Sequence, residues 1–307
     1  MELNDYQQRA QDTDRVKAGM GDTGLMVPFL GLAGEAGELL SEYKKHLRDG
    51  YAHILFPERV TEELGDILWY VANIATKFGI PLETIATQNL SKTRDRWSGQ
   101  SNMPLPFDES SLEGERFPRR FVVDLREIQV DGQKKIRPYM DGEPMGDDLT
   151  DNAYYPDGYR FHDVFHLGYV AVLGWSPVVR KLLGKKRRSD PRKDEVEDGG
   201  RAGVIDEAIA ALVFDYARKH NWLEGVEHLD YQLLKTIKGI TAHLDDVNTR
   251  TQKDWQDAIL AGYRVWRHAQ AANGGRIEVD MTARDLRYLG PSDTAAEPSL
   301  TTDAQAR

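Results

Sequence analysis

The sequence predicts a mainly α-helical protein in which a small β-hairpin separates two helical parts. Apolar residues recur at helical spacing through most of the first hundred residues and again after residue 159. Between these parts, Asp131 and Gly132 join two runs of strand character, which is a hairpin signal. A length of 307 residues suits two domains. We expect a helical domain at 1–98, a linker with the hairpin at 99–158, a second helical domain at 159–290 and a disordered tail at 291–307.

Four helices are predicted in the first part, over 3–17, 26–47, 57–78 and 81–97. Pro57 suits the first turn of the third helix, because a proline there removes no helical hydrogen bond. Gly50 and Gly79 follow the second and third helices, as is typical of helix ends. The connections are short, so we expect an antiparallel four-helix bundle.

The second part begins with the hairpin, whose predicted strands cover 121–128 and 135–140. Helical spacing then predicts helices over 159–183, 202–219, 229–243 and 251–271, and a short strand follows at 277–281. The basic run at 185–188 is followed by an acidic stretch at 194–198. Because charge runs usually face water, we expect this segment to be a solvated loop.

Composition excludes several classes of protein. The chain contains no cysteine, which excludes disulfides, thiolate metal sites and cysteine nucleophiles. A net charge of −10 gives no global basic surface, so we do not expect nucleic acid as a partner. No apolar run reaches transmembrane length, and the first residues lack the apolar core of a signal peptide. We expect a cytoplasmic protein that does not enter membranes.

Two pairs of carboxylates on consecutive predicted helices are the main chemical signal. Glu35 and Glu38 are three residues apart, as are Glu63 and Asp66, so each pair shares a helix face. Like charges at this spacing destabilise an isolated helix, and a short connection makes the two helices neighbours. Four carboxylates between two helices form an all-oxygen site, which hard cations such as Mg²⁺ or Mn²⁺ prefer.

The residues around these carboxylates strengthen the interpretation. Residues 64–78 are mostly apolar, which predicts a helix buried on most of its circumference, with Asp66 facing a crevice or the interior. A buried carboxylate needs a cation or another partner. Gly31, Gly34 and Gly37 favour close approach of another backbone or a ligand. The alternative is that the glutamates face solvent on ordinary amphipathic helices.

The pattern Glu35-x-x-Glu38 and Glu63-x-x-Asp66, in the settings GLAGEAGEL and EELGDILWYV, resembles the MazG nucleotide pyrophosphohydrolases, the all-α NTP pyrophosphatases. The run NLSKTRDRW resembles the last helix of that family, which carries an Asn, a Lys and an Arg before an aromatic residue. The resemblance covers residues 1–98, about a third of the chain.

This resemblance implies Mg²⁺-dependent hydrolysis of nucleoside triphosphates, NTP or dNTP, to the monophosphate and pyrophosphate, and Mn²⁺ is expected to substitute. It implies that the two acidic pairs bind the metal and that Glu35 or Glu38 accepts the proton of the attacking water. The phosphates would be held by Asn89, Lys92 and Arg96, with Lys45 as a weaker candidate. It also implies a homodimer or homotetramer. The alternative function is nucleotide sensing, with the fold retained and no hydrolysis.

A second candidate site lies in the second part of the chain. His162 and His166 are four residues apart, a spacing suited to a metal, and Asp163 lies between them. The pattern departs from the HExxH of zinc proteases, and it lacks the flanking residues of HD-type phosphohydrolases. The second part could be a diverged copy of the first bundle, in which Asp206 and Glu207 correspond to Glu62 and Glu63. This would make the histidine group a remodelled or inactive site. A second phosphohydrolase site is also open. The alternative is a pair of hydrogen-bonded core histidines.

Overall fold

The computed structural model describes residues 1–15, 21–97 and 108–292, and the chain divides into two compact units, residues 1–94 and 95–307. The described residues contain ten α-helices and one five-stranded antiparallel sheet, which confirms the mainly α fold class. Of the predicted tail at 291–307, residues 293–307 lie outside the described residues. None of the helices described has the length and apolarity that a bilayer crossing needs.

The first unit is built from four helices, of which the first, predicted over 3–17, already ends at Ala10, while residues 16 and 17 lie outside the described residues. They are α1 (Leu3–Ala10), α2 (Gly21–Asp49), α3 (Phe56–Lys77) and α4 (Leu82–Trp97), whose last residues belong to the second unit. Helices α2 and α3 pack along each other, and α1 packs on α3. The N-terminal end of α4 is tied to α1, because Gln7 Oε1 accepts a hydrogen bond of 2.7 Å from the amide of Leu82.

Helix α3 is less buried than its composition predicts. Its buried residues are Ala72, Asn73 and Ala75, near the C-terminal end, whereas Leu64 and Leu68 are exposed. The prediction that most of its circumference is buried is therefore wrong for the single chain. Helices α1 and α2 cover only part of α3, so the remaining apolar face meets solvent.

The sheet of the second unit has the strand order β3-β2-β1-β4-β5. Its strands are β1 (Arg120–Val130), β2 (Gln133–Met140), β3 (Glu143–Pro144), β4 (Gly275–Asp280) and β5 (Asp285–Gly290). The predicted hairpin is present, and Asp131 and Gly132 turn it with positive φ values of 51° and 76°. Strand β4 pairs with β1, so the hairpin belongs to the same unit as the helices that follow it.

Six helices complete the second unit. They are α5 (Asp163–Leu173), α6 (Pro177–Leu182), α7 (Pro191–Val196), α8 (Gly200–Arg218), α9 (Tyr231–Thr241) and α10 (Gln252–Ala272). Every residue of α5 is buried, and α5 packs against α10. The single helix predicted over 159–183 is interrupted, because Gly174 ends α5 with φ of 71° and Ser176 caps α6.

The charged segment predicted to be a solvated loop is partly buried, so that prediction is wrong. Arg187 is 1% exposed and Asp198 is 5% exposed. The Arg187 guanidinium donates to both carboxylate oxygens of Asp198, at 2.5 and 3.0 Å, and it lies 2.5 Å from Asp246. Charges of opposite sign pair with each other here, which offsets the cost of removing them from water.

Candidate active site

Helices α2 and α3 bring three of the four predicted carboxylates together. One oxygen each from Glu35, Glu63 and Asp66 lies within 4.8 Å of the others. Glu35 and Glu63 are partly buried, whereas Asp66 is exposed, so the prediction that Asp66 faces a crevice or the interior is wrong for the single chain. The spacing on each helix and the packing of α2 on α3 create this cluster.

The cluster is electrostatically unfavourable without a cation. Burial and the charges of neighbouring carboxylates raise the pKa of Glu63, and these neighbours are Glu35, Glu38, Glu62 and Asp66. Glu38 is therefore close enough for its charge to act on Glu63, although it lies outside the group of three. A divalent cation bound by the three would remove this repulsion, and Glu38 would then be the carboxylate left to accept a proton.

Other residues near the cluster were not identified from the sequence. Glu42 is four residues after Glu38 on the same helix face, and its buried carboxylate pairs with Lys45 and with His53. Lys45, a predicted phosphate ligand, is thus engaged with Glu42. The Tyr6 hydroxyl has a pKa raised by burial and by the charge of Asp66. The spacing from Glu38 could have indicated Glu42, but no local pattern links Tyr6 to Asp66.

The glycines of α2 differ in their surroundings. A Cβ atom on Gly31 would lie 2.2 Å from the ring of Tyr70, so the close approach predicted there is made by that side chain. Gly34 and Gly37 have no described atom within 4 Å of the position that a Cβ would take. The surface beside the acidic residues of α2 is therefore open, with room for a ligand.

The predicted phosphate ligands of α4 do not all lie in one unit. Asn89 and Lys92 are exposed on this helix. Arg96 lies in the second unit, where its guanidinium carbon is 4.8 Å from the ring centre of Trp97 and 5.4 Å from that of Tyr231. Their role in binding phosphate stays a prediction.

The second unit holds the other predicted group. Its ligand atoms, one each from His162, His166 and Glu207, also lie within 4.8 Å of one another. Asp163 adjoins them, with one carboxylate oxygen 3.6 Å from His162 Nε2, and burial raises its pKa. Asp206, compared with Glu62 in the sequence, instead hydrogen-bonds to His166.

Comparison with known families assigns both units. Residues 28–98 match the model of the MazG nucleotide pyrophosphohydrolase domain. Residues 102–292, more than half of the chain, match the model of the MazG C-terminal domain. The chain belongs to the MazG family. It is a nucleoside triphosphate pyrophosphohydrolase, and MazG pyrophosphohydrolases generally depend on a divalent metal.

One relative extends the match in the MazG domain. The Gene 37 protein of Mycobacterium phage L5 is 39% identical over 102 residues, which is 31% of this chain and 89% of the relative. No solved structure matches the chain significantly. The second unit matches a different family model from the first. It contains a β-sheet, whereas the described part of the first unit is helical. Both differences argue against a duplicated bundle.

Proposed function

We propose that this MazG protein hydrolyses NTPs or dNTPs with Mg²⁺ held by Glu35, Glu63 and Asp66, and that Glu38 is the general base. The observation that carries the proposal is the convergence of three carboxylate oxygens within 4.8 Å on two packed helices. All three donors are oxygens, which suits Mg²⁺, and Mn²⁺ accepts the same ligands.

The three carboxylates repel one another, and this repulsion is a second reason to place a cation there. The raised pKa of Glu63 shows that its own ionisation is disfavoured by burial and by its neighbours. Bound Mg²⁺ would neutralise part of the triphosphate charge and lower the pKa of a coordinated water.

The chain's own residues then have separate tasks. Glu38 accepts a proton from water while the water oxygen bonds to the α-phosphorus. The bond from that phosphorus to the α–β bridging oxygen breaks, and pyrophosphate leaves with the bond's electron pair. Asn89 and Lys92, the predicted phosphate ligands within the first unit, hold phosphate oxygens, since phosphoryl transfer depends mainly on positioning and charge stabilisation. Open space beside Gly34 and Gly37 leaves room for the substrate.

The proposed active form is a homodimer or homotetramer. Helices α2, α3 and α4 expose large apolar side chains, among them Met26, Phe29, Leu30, Leu40, Leu47, Leu64, Leu68 and Leu90. Leu30, Leu40 and Leu47 are 65–68% exposed. Many exposed large apolar side chains on neighbouring helices are typical of an association surface, and a second copy of the MazG domain would remove them from water.

The test is a panel of NTPs and dNTPs with Mg²⁺ or Mn²⁺, in which monophosphate is measured by chromatography and pyrophosphate by a coupled assay. Wild-type protein should form both products in equal amounts, and Glu38→Gln and Asp66→Asn should lose turnover. Glu58→Gln is the matched control, because Glu58 is an exposed carboxylate in the first turn of α3. Tight nucleotide binding without either product would instead support a sensor.

A further inference from the structure

Two buried histidines of the second unit each have one ring nitrogen bonded to a fixed partner. His162 Nδ1 lies 2.9 Å from the carbonyl oxygen of Tyr159, and His166 Nδ1 lies 2.8 Å from Asp206 Oδ1. Because a carbonyl and a carboxylate oxygen accept hydrogen bonds, each Nδ1 is the donor. In the neutral rings, each Nε2 therefore carries a lone pair.

Both of these Nε2 atoms face the same carboxylate. Glu207 Oε2 lies 3.4 Å from His166 Nε2 and 3.9 Å from His162 Nε2. His166 is fully buried, and its Nε2 makes no well-directed hydrogen bond among the described residues, although Glu207 Oε2 faces it at 3.4 Å. An unsatisfied buried polar atom costs free energy. A cation shared by the two imidazoles and Glu207 would satisfy it.

Asp206 has the surroundings of a residue that orients a metal ligand. Besides the bond from His166, its other oxygen accepts hydrogen bonds from Ser176 Oγ at 2.5 Å and from the amide of Val178 at 3.2 Å. Asp206 is itself fully buried. A carboxylate that fixes the tautomer and direction of a histidine is the usual second partner at metal sites with imidazole ligands.

A cavity of about 710 Å³ adjoins the cluster, and its wall carries cations as well as the carboxylates of Asp147, Asp163, Asp198 and Glu207. Lys181 and Arg188 lie on its wall, and no ion pair involves either side chain among the described residues. Helix α8 begins at this wall, and its N-cap, Gly199, provides no side-chain hydrogen bond. The free amides and the helix dipole at such an end favour phosphate.

We propose that His162, His166 and Glu207 bind a divalent transition-metal ion, and that the adjoining cavity binds a phosphate-bearing small molecule. Imidazole with one carboxylate suits Zn²⁺, Fe²⁺, Co²⁺ or Mn²⁺ better than Mg²⁺. Three protein ligands leave coordination positions for water or for the phosphate. This site is separate from the carboxylates of the MazG domain, so it stands whether or not those bind Mg²⁺.

Cobalt distinguishes this site from the all-oxygen cluster, because Co²⁺ with imidazole ligands in low coordination absorbs strongly in the visible range. The full chain titrated with Co²⁺ should develop these bands and saturate at one equivalent. His162→Gln and Glu207→Gln should weaken the Co²⁺ affinity at least tenfold, and Asp206→Asn by about 10- to 100-fold. Glu195→Gln removes an exposed carboxylate that does not line the cavity, so it should bind Co²⁺ like the wild type.

Glu207 is the most informative position, because its side chain is 47% exposed and its replacement should leave the fold intact. Circular dichroism checks this. Visible bands that are absent in the wild type, or that persist unchanged in folded Glu207→Gln, would overturn the metal site and leave His166 as a core residue paired with Asp206. Loss of the bands on Asp66→Asn would overturn it too, by placing the ion in the other unit.

The phosphate part is tested by calorimetry with inorganic phosphate and pyrophosphate on metal-loaded Glu63→Gln protein. Adding Lys181→Ala and Arg188→Ala to this variant should weaken phosphate binding about tenfold or more. The Co²⁺ spectrum recorded without phosphate should stay unchanged. Equal phosphate affinity with and without these two cations would overturn the anion site.

Discussion

Replacement of Arg187 by methionine is expected to destabilise the second unit strongly. Its guanidinium bonds to both oxygens of Asp198 and lies 2.5 Å from Asp246, and all three side chains are buried. Removing one partner of a buried ion pair costs about 3–5 kcal/mol, because the remaining charges stay away from water. Arg180 Nε lies 3.5 Å from Asp198, so that carboxylate keeps a cation. We therefore expect about 3–4 kcal/mol.

The assay is urea unfolding followed by tryptophan fluorescence, since Trp175, Trp255 and Trp266 are buried in the second unit. The neighbouring Arg188→Met provides the control, because Arg188 is exposed and its loss should change stability by at most about 0.5 kcal/mol. If Arg187→Met were as mild as this control, the basic run would be a solvated surface after all and the burial argument would be refuted.

Three further predictions concern activity, assembly and pH. Glu38→Gln should lower kcat for pyrophosphate release by about 10²- to 10⁴-fold with little change in nucleotide affinity, and equal turnover would remove Glu38 as the base. Leu68→Glu, on the exposed apolar face of α3, should shift light scattering towards the monomer mass, whereas an unchanged mass would place the interface elsewhere. Burial acts to raise the pKa of Asp108, but the amide of Phe117 and the charge of Arg180 outweigh it and hold the pKa below its usual range. Its carboxylate thus stabilises the fold at neutral pH, and this contribution is lost as the pH falls through the lowered pKa. The free energy of unfolding of Asp108→Asn should therefore be lower than that of the wild type at pH 7, and the difference should narrow in acid.

The first unit could be predicted well because its determinants are local. Helical spacing and the positions of Pro57, Gly50 and Gly79 set α2 and α3 to within a few residues. The same spacing puts the members of each acidic pair on one face, and one short connection makes the helices neighbours. The exposure of Asp66 could not be predicted from the composition of α3. It depends on how much of α3 the neighbouring helices cover.

The second unit depends more on contacts between distant residues. Strand β5 was missed although it pairs with the adjacent strand β4. The pairing of β4 with β1 joins segments 150 to 160 residues apart, and no local pattern indicates it. The bond between His166 and Asp206 joins two helices 40 residues apart, so no spacing on either helix indicates it. The break between α5 and α6 did have a local signal, since Gly174 and Pro177 stand in the sequence as a helix stop and start.

The most direct test of the metal-bound carboxylate cluster is product stoichiometry in a double variant. Wild-type protein and Glu63→Gln/Asp66→Asn are incubated with the same dNTP and Mg²⁺, and monophosphate, pyrophosphate and orthophosphate are each quantified. We predict equal amounts of monophosphate and pyrophosphate from the wild type, and no turnover from the folded double variant at any Mg²⁺ concentration. Turnover by the variant at the wild-type rate, or release of orthophosphate with nucleoside diphosphate, would contradict the assignment of this site.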